Sequence, residues 1–138
     1  MTYNRLINNL DDLELTKFKE NLDTYIELTN TNEKTFVEAL YEITEIELKF
    51  KDERAVNACV KVGNFPYLKT EKDFDFDFQP AVNKKEILDL LSLRFIEKSE
   101  NIIFVGTPGT GKTHLATAIG IAAATKRITT YFISFPEL

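Results

Sequence analysis

Residues 102–113 read IIFVGTPGTGKT, four apolar residues followed directly by a glycine-rich loop. A continuous apolar run of this length is typical of a strand buried on both faces of a parallel sheet. The alanine-rich residues from about 112 to 125 predict a helix, and residues 128–133 predict a second strand. The order strand, loop, helix and strand predicts an α/β protein that holds the first part of a parallel-sheet domain.

The loop matches the pattern G-x-x-x-x-G-K-[ST] without a mismatch. Glycine lets the backbone curl so that successive amide hydrogens point at a phosphate, and the following helix N-terminus adds unpaired N–H groups and a positive dipole end. The spacing differs from G-x-G-x-x-G, so a dinucleotide fold is disfavoured. We therefore expect a site for ATP with Mg²⁺, whose nucleotide-binding residues are Gly106, Thr107, Pro108, Gly109, Thr110, Gly111, Lys112, Thr113 and His114.

Two side chains complete the predicted phosphate site and are the predicted catalytic residues. Lys112 is expected to place its ammonium between the β- and γ-phosphates, and the Thr113 hydroxyl is expected to coordinate Mg²⁺ as the predicted metal ligand. His114 is the only histidine in the sequence. We interpret it as a packing or hydrogen-bonding residue and not as a catalyst, because no Cys or Asp accompanies it at a ligand spacing.

Upstream of the loop, apolar residues recur at three- and four-residue steps, which predicts helices. From Leu6 to Ile26 this spacing fits one or two short helices, and a polar break at residues 30–32 is expected to cap a longer helix that reaches about Val60. Cys59 is interpreted as a small buried hydrophobic residue. As the sole cysteine it excludes an internal disulfide and fits a reducing cytoplasm.

The predicted organisation has three parts: a helical region at 1–64, an extended linker at 65–82 and a P-loop domain at 83–138. In the linker, Phe74, Phe76 and Phe78 alternate with Asp75 and Asp77, which predicts aromatic rings on one side that pack against a neighbouring domain. Asn83 with Glu86 resembles a capping box that opens the next helix.

Charge and composition limit the classes of protein that the chain can belong to. The sequence is 43% hydrophobic and 28% charged, the balance of a soluble globular protein, and its apolar runs are too short to cross a bilayer. Residues 1–80 hold 10 Lys or Arg against 17 Asp or Glu, whereas residues 81–138 hold 7 against 5. The acidic first part weakens the case for DNA binding there.

Hydrolysis of ATP needs groups that the sequence does not supply after the loop. A P-loop ATPase also uses a carboxylate after a later strand to hold Mg²⁺ and a group that orients the attacking water. The only acidic residue after Thr113 is Glu137, which with Ser134 has the spacing of a capping box and predicts the start of another helix. We expect an incomplete domain that binds ATP and does not hydrolyse it alone.

The segments NFPYLKTEKDFDFDFQP at 64–80 and LRFIEKSENIIFVGTPGTGKTHLATAIG at 93–120 resemble the IstB-like ATPases, the helpers of insertion-sequence transposases. The resemblance places Lys112 and Thr113 on the family's phosphate and magnesium positions. It implies an AAA+ parallel-sheet domain related to that of bacterial helicase loaders, truncated here after the second strand. It also implies double-stranded DNA, a transposase and further copies of the chain as partners.

Three readings of the function stay open at this point. The first is an ATP-binding helper of DNA transposition, the second is a helicase loader, and the third is a non-catalytic helical module that binds a partner. Basic residues before the linker are diluted by acidic ones, so a DNA surface and a solvated helix face fit equally well. The basic residues are Lys49, Lys51, Arg54 and Lys61, and the acidic ones are Glu45, Glu47, Asp52 and Glu53.

Overall fold

A computed structural model describes residues 1–137, and helices make up most of it. The helices are α1 (Thr2–Asp12), α2 (Thr16–Asn30), α3 (Phe36–Val62), α4 (Lys84–Leu91), α5 (Arg94–Glu97) and α6 (Lys112–Thr125), and short 3₁₀ turns lie at Glu71–Asp73 and Phe135–Glu137. Contacts group the chain into two compact units, Met1–Arg54 and Ala55–Leu138. Each unit is described by itself below.

The predicted α/β fold is wrong, because residues 1–137 contain no β-strand. Residues 102–105 and 128–133 have no regular secondary structure, and the Phe132 amide donates to the Gly63 carbonyl at 2.7 Å instead of to the other predicted strand. A strand requires a neighbouring strand to pair its backbone groups, and an apolar run cannot specify that neighbour. Ile103 is 83% exposed and Val105 is 89% exposed, so this run is not buried on both faces.

The helices predicted before residue 64 and after the glycine loop are confirmed in their positions. The three- and four-residue spacing between Leu6 and Ile26 corresponds to α1 and α2, and the longer predicted helix corresponds to α3. Asn83 caps α4, since its side chain accepts hydrogen bonds from the amides of Lys85 and Glu86. The polar break at 30–32 was expected to cap α3, but it does not. Thr35 caps this helix instead, because it exchanges hydrogen bonds with Glu38.

The first unit is a set of three helices whose small core includes Leu10, Leu22, Ala39 and Ile43. Glu47 of α3 is also buried, with 4% of its surface exposed. Its Oε2 accepts a hydrogen bond from the amide of Phe18 at 2.7 Å, whereas Oε1 has no partner among the described residues. Glu47 thereby supplies an acceptor to the first turn of α2, where backbone amides lack an intrahelical partner.

Two substitutions at Glu47 measure how much the hydrogen bond to the Phe18 amide contributes to the free energy of unfolding. We expect Glu47→Ala to be less stable than Glu47→Gln by about 1–3 kcal/mol, because only Gln keeps an acceptor for the Phe18 amide. Both variants remove the charge, so their difference reports the hydrogen bond and the lost packing. Urea unfolding followed by circular dichroism measures it, and equal midpoints for the two variants would contradict the assignment.

Two carboxylates of the first unit accept hydrogen bonds that lower their pKa values. The backbone and hydroxyl hydrogen bonds from Thr35 hold the pKa of Glu38 below its ordinary value of 4.5, and the hydrogen bond from Lys34 does the same for the pKa of Glu42. A lowered folded-state pKa contributes stability above the unfolded value, and this stability is lost as the pH falls through the folded value. The effect therefore lies below about pH 4.5.

We expect the melting temperature to fall as the pH is lowered below about 4.5, because these two carboxylates then take up protons. A Glu38→Gln, Glu42→Gln double variant should show a shallower dependence over this range, because its two side chains no longer titrate. Thermal unfolding at a series of pH values checks the comparison. Parallel curves for the variant and the parent would show that these carboxylates do not contribute.

The second unit is built around α6, which is buried on most of its sides. Its fully buried residues include Thr117, and Ile119 and Ala123 pack with Leu93 in a core cluster. Partly buried residues from the neighbouring segments complete this cluster, namely Leu90, Leu91, Phe95, Ile96, Phe104 and Ile128. The helix that follows the glycine loop is therefore anchored by packing along its length. Across the described part of the chain, no helix has the length and apolar character needed to span a membrane.

The segment predicted as an extended linker contains turns. Thr70 and Asp73 form a capping box around the 3₁₀ turn, and Asp75 Oδ1 accepts from the amides of Asp77 and Phe78 at 3.0 Å each. Phe78 is 76% exposed, so the expected row of three packed aromatic rings is not present. Local hydrogen bonds from Asp side chains to nearby amides favour turns over extended backbone, which explains the difference.

Candidate functional site

The glycine loop at residues 106–111 leads directly into α6, which begins at Lys112. Gly109 has φ of 81° and Gly111 has φ of 88°, a left-handed conformation that side chains disfavour. A Cβ at Gly109 would meet nothing within 4 Å, so the backbone angle alone calls for glycine there. At Gly111 a Cβ would also overlap the ring of Phe74.

The N-terminus of α6 offers backbone donors. Its N-cap residue, Gly111, provides no side-chain hydrogen bond to the helix, and the first intrahelical bond runs from the Leu115 amide to the Gly111 carbonyl at 3.0 Å. The amides of the first turn precede this bond, and their positive dipole end attracts anions. Glycine turns followed by such a helix start form an arrangement that fits a phosphate group.

Lys112 brings a positive charge to the same loop. Its Nζ donates to the carbonyl oxygens of Gly106 at 2.8 Å and Thr107 at 2.7 Å, and it lies 3.4 Å from Thr110 Oγ1. The Thr110 hydroxyl donates in turn to the Thr107 carbonyl at 2.9 Å. The ammonium is therefore held at the loop by exposed carbonyl groups that it can exchange for the oxygens of a phosphate.

A cavity of about 400 Å³ adjoins the loop and is lined by Pro108, Gly109, Gly111, Lys112, Thr113 and His114. Its volume is in the range of small-molecule sites. Six of the nine residues predicted from the sequence therefore share one cavity. A second cavity of about 430 Å³ includes Gly106, Thr107 and Thr110 in its lining, together with Lys112.

Thr113 is exposed at the start of α6 and lines the cavity beside the loop. Among residues 1–137, no group of three or more His, Cys, Asp or Glu side chains could hold a metal ion. Mg²⁺ at this loop would be held by the Thr113 hydroxyl, phosphate oxygens and water, without the carboxylate that P-loop ATPases add after a later strand. The donor set fits a magnesium ion that arrives with a nucleotide.

His114 makes a hydrogen bond and packs against aromatic rings, and its predicted place among the nucleotide-binding residues stays a prediction. Its Nε2 lies 2.8 Å from the carbonyl oxygen of Thr70, and since a carbonyl only accepts, the proton must be on Nε2. The imidazole also meets the ring of Phe74 edge-on at 5.4 Å and that of Tyr67 at 6.3 Å. Cys59 differs from its expected burial, since it is only partly buried.

Sequence reasoning missed that Thr70 and Phe74 contact the loop region. Phe74 was noticed as part of an aromatic alternation, but the alternation gives no indication of which surface the ring contacts. Thr70 lies 44 residues from His114, so no local pattern connects the two residues. The capping-box spacing of Thr70 and Asp73 was the one available signal of an ordered turn at this place.

The loop geometry, with its left-handed glycines, uncapped helix start and lysine, defines a candidate phosphate-binding protein. The chain belongs to the family described as IstB-like ATP binding protein, which matches residues 8–138.

Named relatives agree with this family. The chain is 46% identical to an insertion sequence IS232 putative ATP-binding protein of Bacillus thuringiensis subsp. berliner, over 99% of this chain and 55% of the relative. It is 39% identical to an insertion sequence IS5376 putative ATP-binding protein of Geobacillus stearothermophilus, over 91% of this chain and 50% of the relative. A third, from insertion sequence IS21 of Pseudomonas aeruginosa, is 34% identical over 83% of this chain and 43% of its own length. The chain thus spans about half the length of these relatives.

Proposed function

We propose that this chain binds ATP with Mg²⁺ at the loop 106–113, as the nucleotide-binding part of an insertion-sequence protein that assists DNA transposition. The observation that carries the proposal is the geometry of the loop, in which left-handed Gly109 and Gly111 lead into the uncapped start of α6. Membership of the IstB-like family supports ATP as the ligand.

Each residue of the loop has a role in this proposal. The backbone amides at the start of α6 donate to phosphate oxygens, and Lys112 exchanges the carbonyls of Gly106 and Thr107 for the β- and γ-phosphates. The Thr113 hydroxyl is the side-chain ligand for Mg²⁺. The magnesium ion, when bound, neutralises part of the triphosphate charge.

The wider role comes from the relatives, whose names place them in insertion sequences. We propose that this protein acts together with a transposase, double-stranded DNA and further copies of itself. Basic and acidic residues are intermixed on α3, so the attraction of this helix for DNA phosphates is weak. We also propose the cytoplasm as the compartment and the three-part division 1–64, 65–82 and 83–138 as the domain organisation.

Nucleotide binding is tested directly with the purified chain. Thermal unfolding should shift upwards with MgATP, since a ligand at about 100 times its Kd stabilises a protein by about 2.7 kcal/mol. ATP without Mg²⁺ should give a smaller shift, because the ion screens the triphosphate, and magnesium chloride with sodium chloride at equal ionic strength controls for nonspecific salt effects. No shift with MgATP at millimolar concentration would overturn the proposal.

The partner is tested by comparing two purified candidates. A transposase encoded by the same type of insertion sequence should bind the chain in a pull-down with MgATP present, and a replicative helicase should not. The opposite result would favour the helicase-loader reading. Binding of neither partner, with nucleotide binding intact, would restrict the proposal to the nucleotide site.

A further inference from the structure

Residues 65–74 lie along the helix that follows the glycine loop, and we call them the clasp segment. At one end of the segment, Phe65 packs on the middle of α6. A Cβ built at Gly120 would lie 2.6 Å from Cε1 of Phe65, so the ring rests directly on the glycine surface. Gly63 is covered by the same ring. The first contact of the clasp segment is therefore about two and a half turns beyond the loop.

At its other end the clasp segment contacts the loop itself. The Phe74 ring lies against Gly111, closely enough that a Cβ there would overlap it. One turn further along α6, His114 Nε2 donates to the Thr70 carbonyl at 2.8 Å. Both contacts involve the turn that carries the predicted phosphate-binding amides, so the position of the clasp segment and that of the loop are linked.

The clasp segment has internal order at the point where it meets the loop. The Thr70 amide donates to Asp73 Oδ2 at 2.8 Å, and this hydrogen bond, together with the one from the Thr70 hydroxyl, lowers the pKa of Asp73. The rings of Phe74 and Phe76 meet edge-on at 4.8 Å between centroids. The carbonyl of Thr70 and the ring of Phe74 are thus presented by a formed turn and not by an unstructured strand of chain.

We propose that the clasp segment positions the glycine loop, with His114 and Phe74 as positioning residues, and that binding of a nucleoside triphosphate in turn fastens the clasp segment. This inference rests on the proposed nucleotide site. It adds that residues outside the glycine motif control the conformation of that site. His114 acts through the backbone of α6 and Phe74 acts through Gly111. Neither side chain is assigned a direct role in chemistry.

The physical basis is preorganisation. A loop that already has its bound conformation does not lose conformational freedom when the ligand arrives, so contacts that hold it raise affinity. The linkage is reciprocal, because any contact that favours the binding conformation is itself favoured by the ligand to the same extent. Nucleotide binding should therefore protect the clasp segment, and loss of a clasp contact should weaken nucleotide binding.

Affinity for MgATP is the first measurement, using a fluorescent ATP analogue and the full chain. His114→Ala should raise the Kd between about threefold and tenfold, the range expected for one neutral hydrogen bond. His114→Gln keeps an N–H that can reach the Thr70 carbonyl, so it should recover most of the loss. Phe74→Leu should also raise the Kd, and Phe78→Ala, which alters an exposed ring, should leave it unchanged.

Hydrogen exchange is the second measurement, and a merely structural role would not predict its outcome. MgATP should slow amide exchange at residues 70–74 in the parent chain, and this slowing should be smaller in His114→Ala and restored in His114→Gln. Circular dichroism at the assay temperature confirms that each variant is folded. If His114→Ala does not fold, the Kd values of Phe74→Leu and Phe78→Ala for MgATP are compared instead, and a higher Kd for Phe74→Leu alone supports the positioning role.

The outcomes separate this inference from the proposed function. If the parent binds MgATP but His114→Ala and Phe74→Leu bind it equally tightly, the positioning role is overturned and the nucleotide site stands. If MgATP does not slow amide exchange at residues 70–74 in the parent chain, the fastening of the clasp segment is overturned and the nucleotide site stands. A parent chain that does not bind MgATP overturns the proposed function and this inference together.

Discussion

Lys112→Ala is expected to lower the affinity of the chain for MgATP by at least about thirtyfold. The ammonium would contribute charge-assisted hydrogen bonds to the phosphates, and truncating one partner of such a charge pair costs about 2–5 kcal/mol. Each 1.4 kcal/mol corresponds to about a tenfold change in Kd. The unliganded fold should be almost unaffected, because Lys112 Nζ bonds to two carbonyl groups and a threonine hydroxyl of its own loop.

Binding of a fluorescent ATP analogue in competition with MgATP measures this change. Lys126→Ala is the matched control, since it removes an exposed lysine just after the opposite end of α6 and should leave the Kd unchanged. The melting temperatures of both variants without nucleotide establish that the fold persists. Equal affinities for the parent and Lys112→Ala would mean that the loop does not bind a triphosphate in the way proposed.

Gly111→Ala is expected to lower the free energy of unfolding by about 2–5 kcal/mol and to abolish nucleotide binding. The left-handed φ of 88° costs a residue with a Cβ about 1–2 kcal/mol, and the overlap with the Phe74 ring adds about 1–3 kcal/mol of overpacking. The loop can relieve this strain only by shifting away from the conformation that directs its amides at a phosphate.

Gly109→Ala separates the two sources of strain, because it has a similar φ of 81° but meets nothing within 4 Å. We expect it to cost only about 1–2 kcal/mol, measured by urea unfolding. Gly111→Ala in a Phe74→Ala background should then cost no more than Gly109→Ala in the same background, as a double-mutant cycle would show. An unchanged cost of Gly111→Ala without the Phe74 ring would show that this ring does not restrict the loop.

Local sequence patterns predicted the helices well and the strands wrongly. The apolar spacing before residue 64 predicted α1, α2 and α3, and the side chain of Asn83 predicted the start of α4. These signals involve residues within one or two turns, where backbone hydrogen bonds are formed inside the segment itself. Residues 102–105 gave an equally clear apolar signal, but strand formation depends on a neighbouring segment that the pattern does not contain.

The candidate site shows the same division between local and distant information. The motif at 106–113 indicated which residues gather at the start of α6, since they are consecutive in the chain. It did not indicate that Phe74 would lie on Gly111 or that His114 would donate to Thr70. The nucleotide-binding roles of these consecutive residues stay a prediction until binding is measured.

The sequence by itself determined the positions of the long helices and the residue types of the glycine loop, because both depend on interactions between close neighbours in the chain. Only the tertiary structure decided that the two apolar runs do not pair as strands, that Glu47 reaches the first turn of α2, and that the clasp segment lies on α6. Those outcomes join residues far apart in the sequence, and they depend on which surfaces meet when the chain is packed.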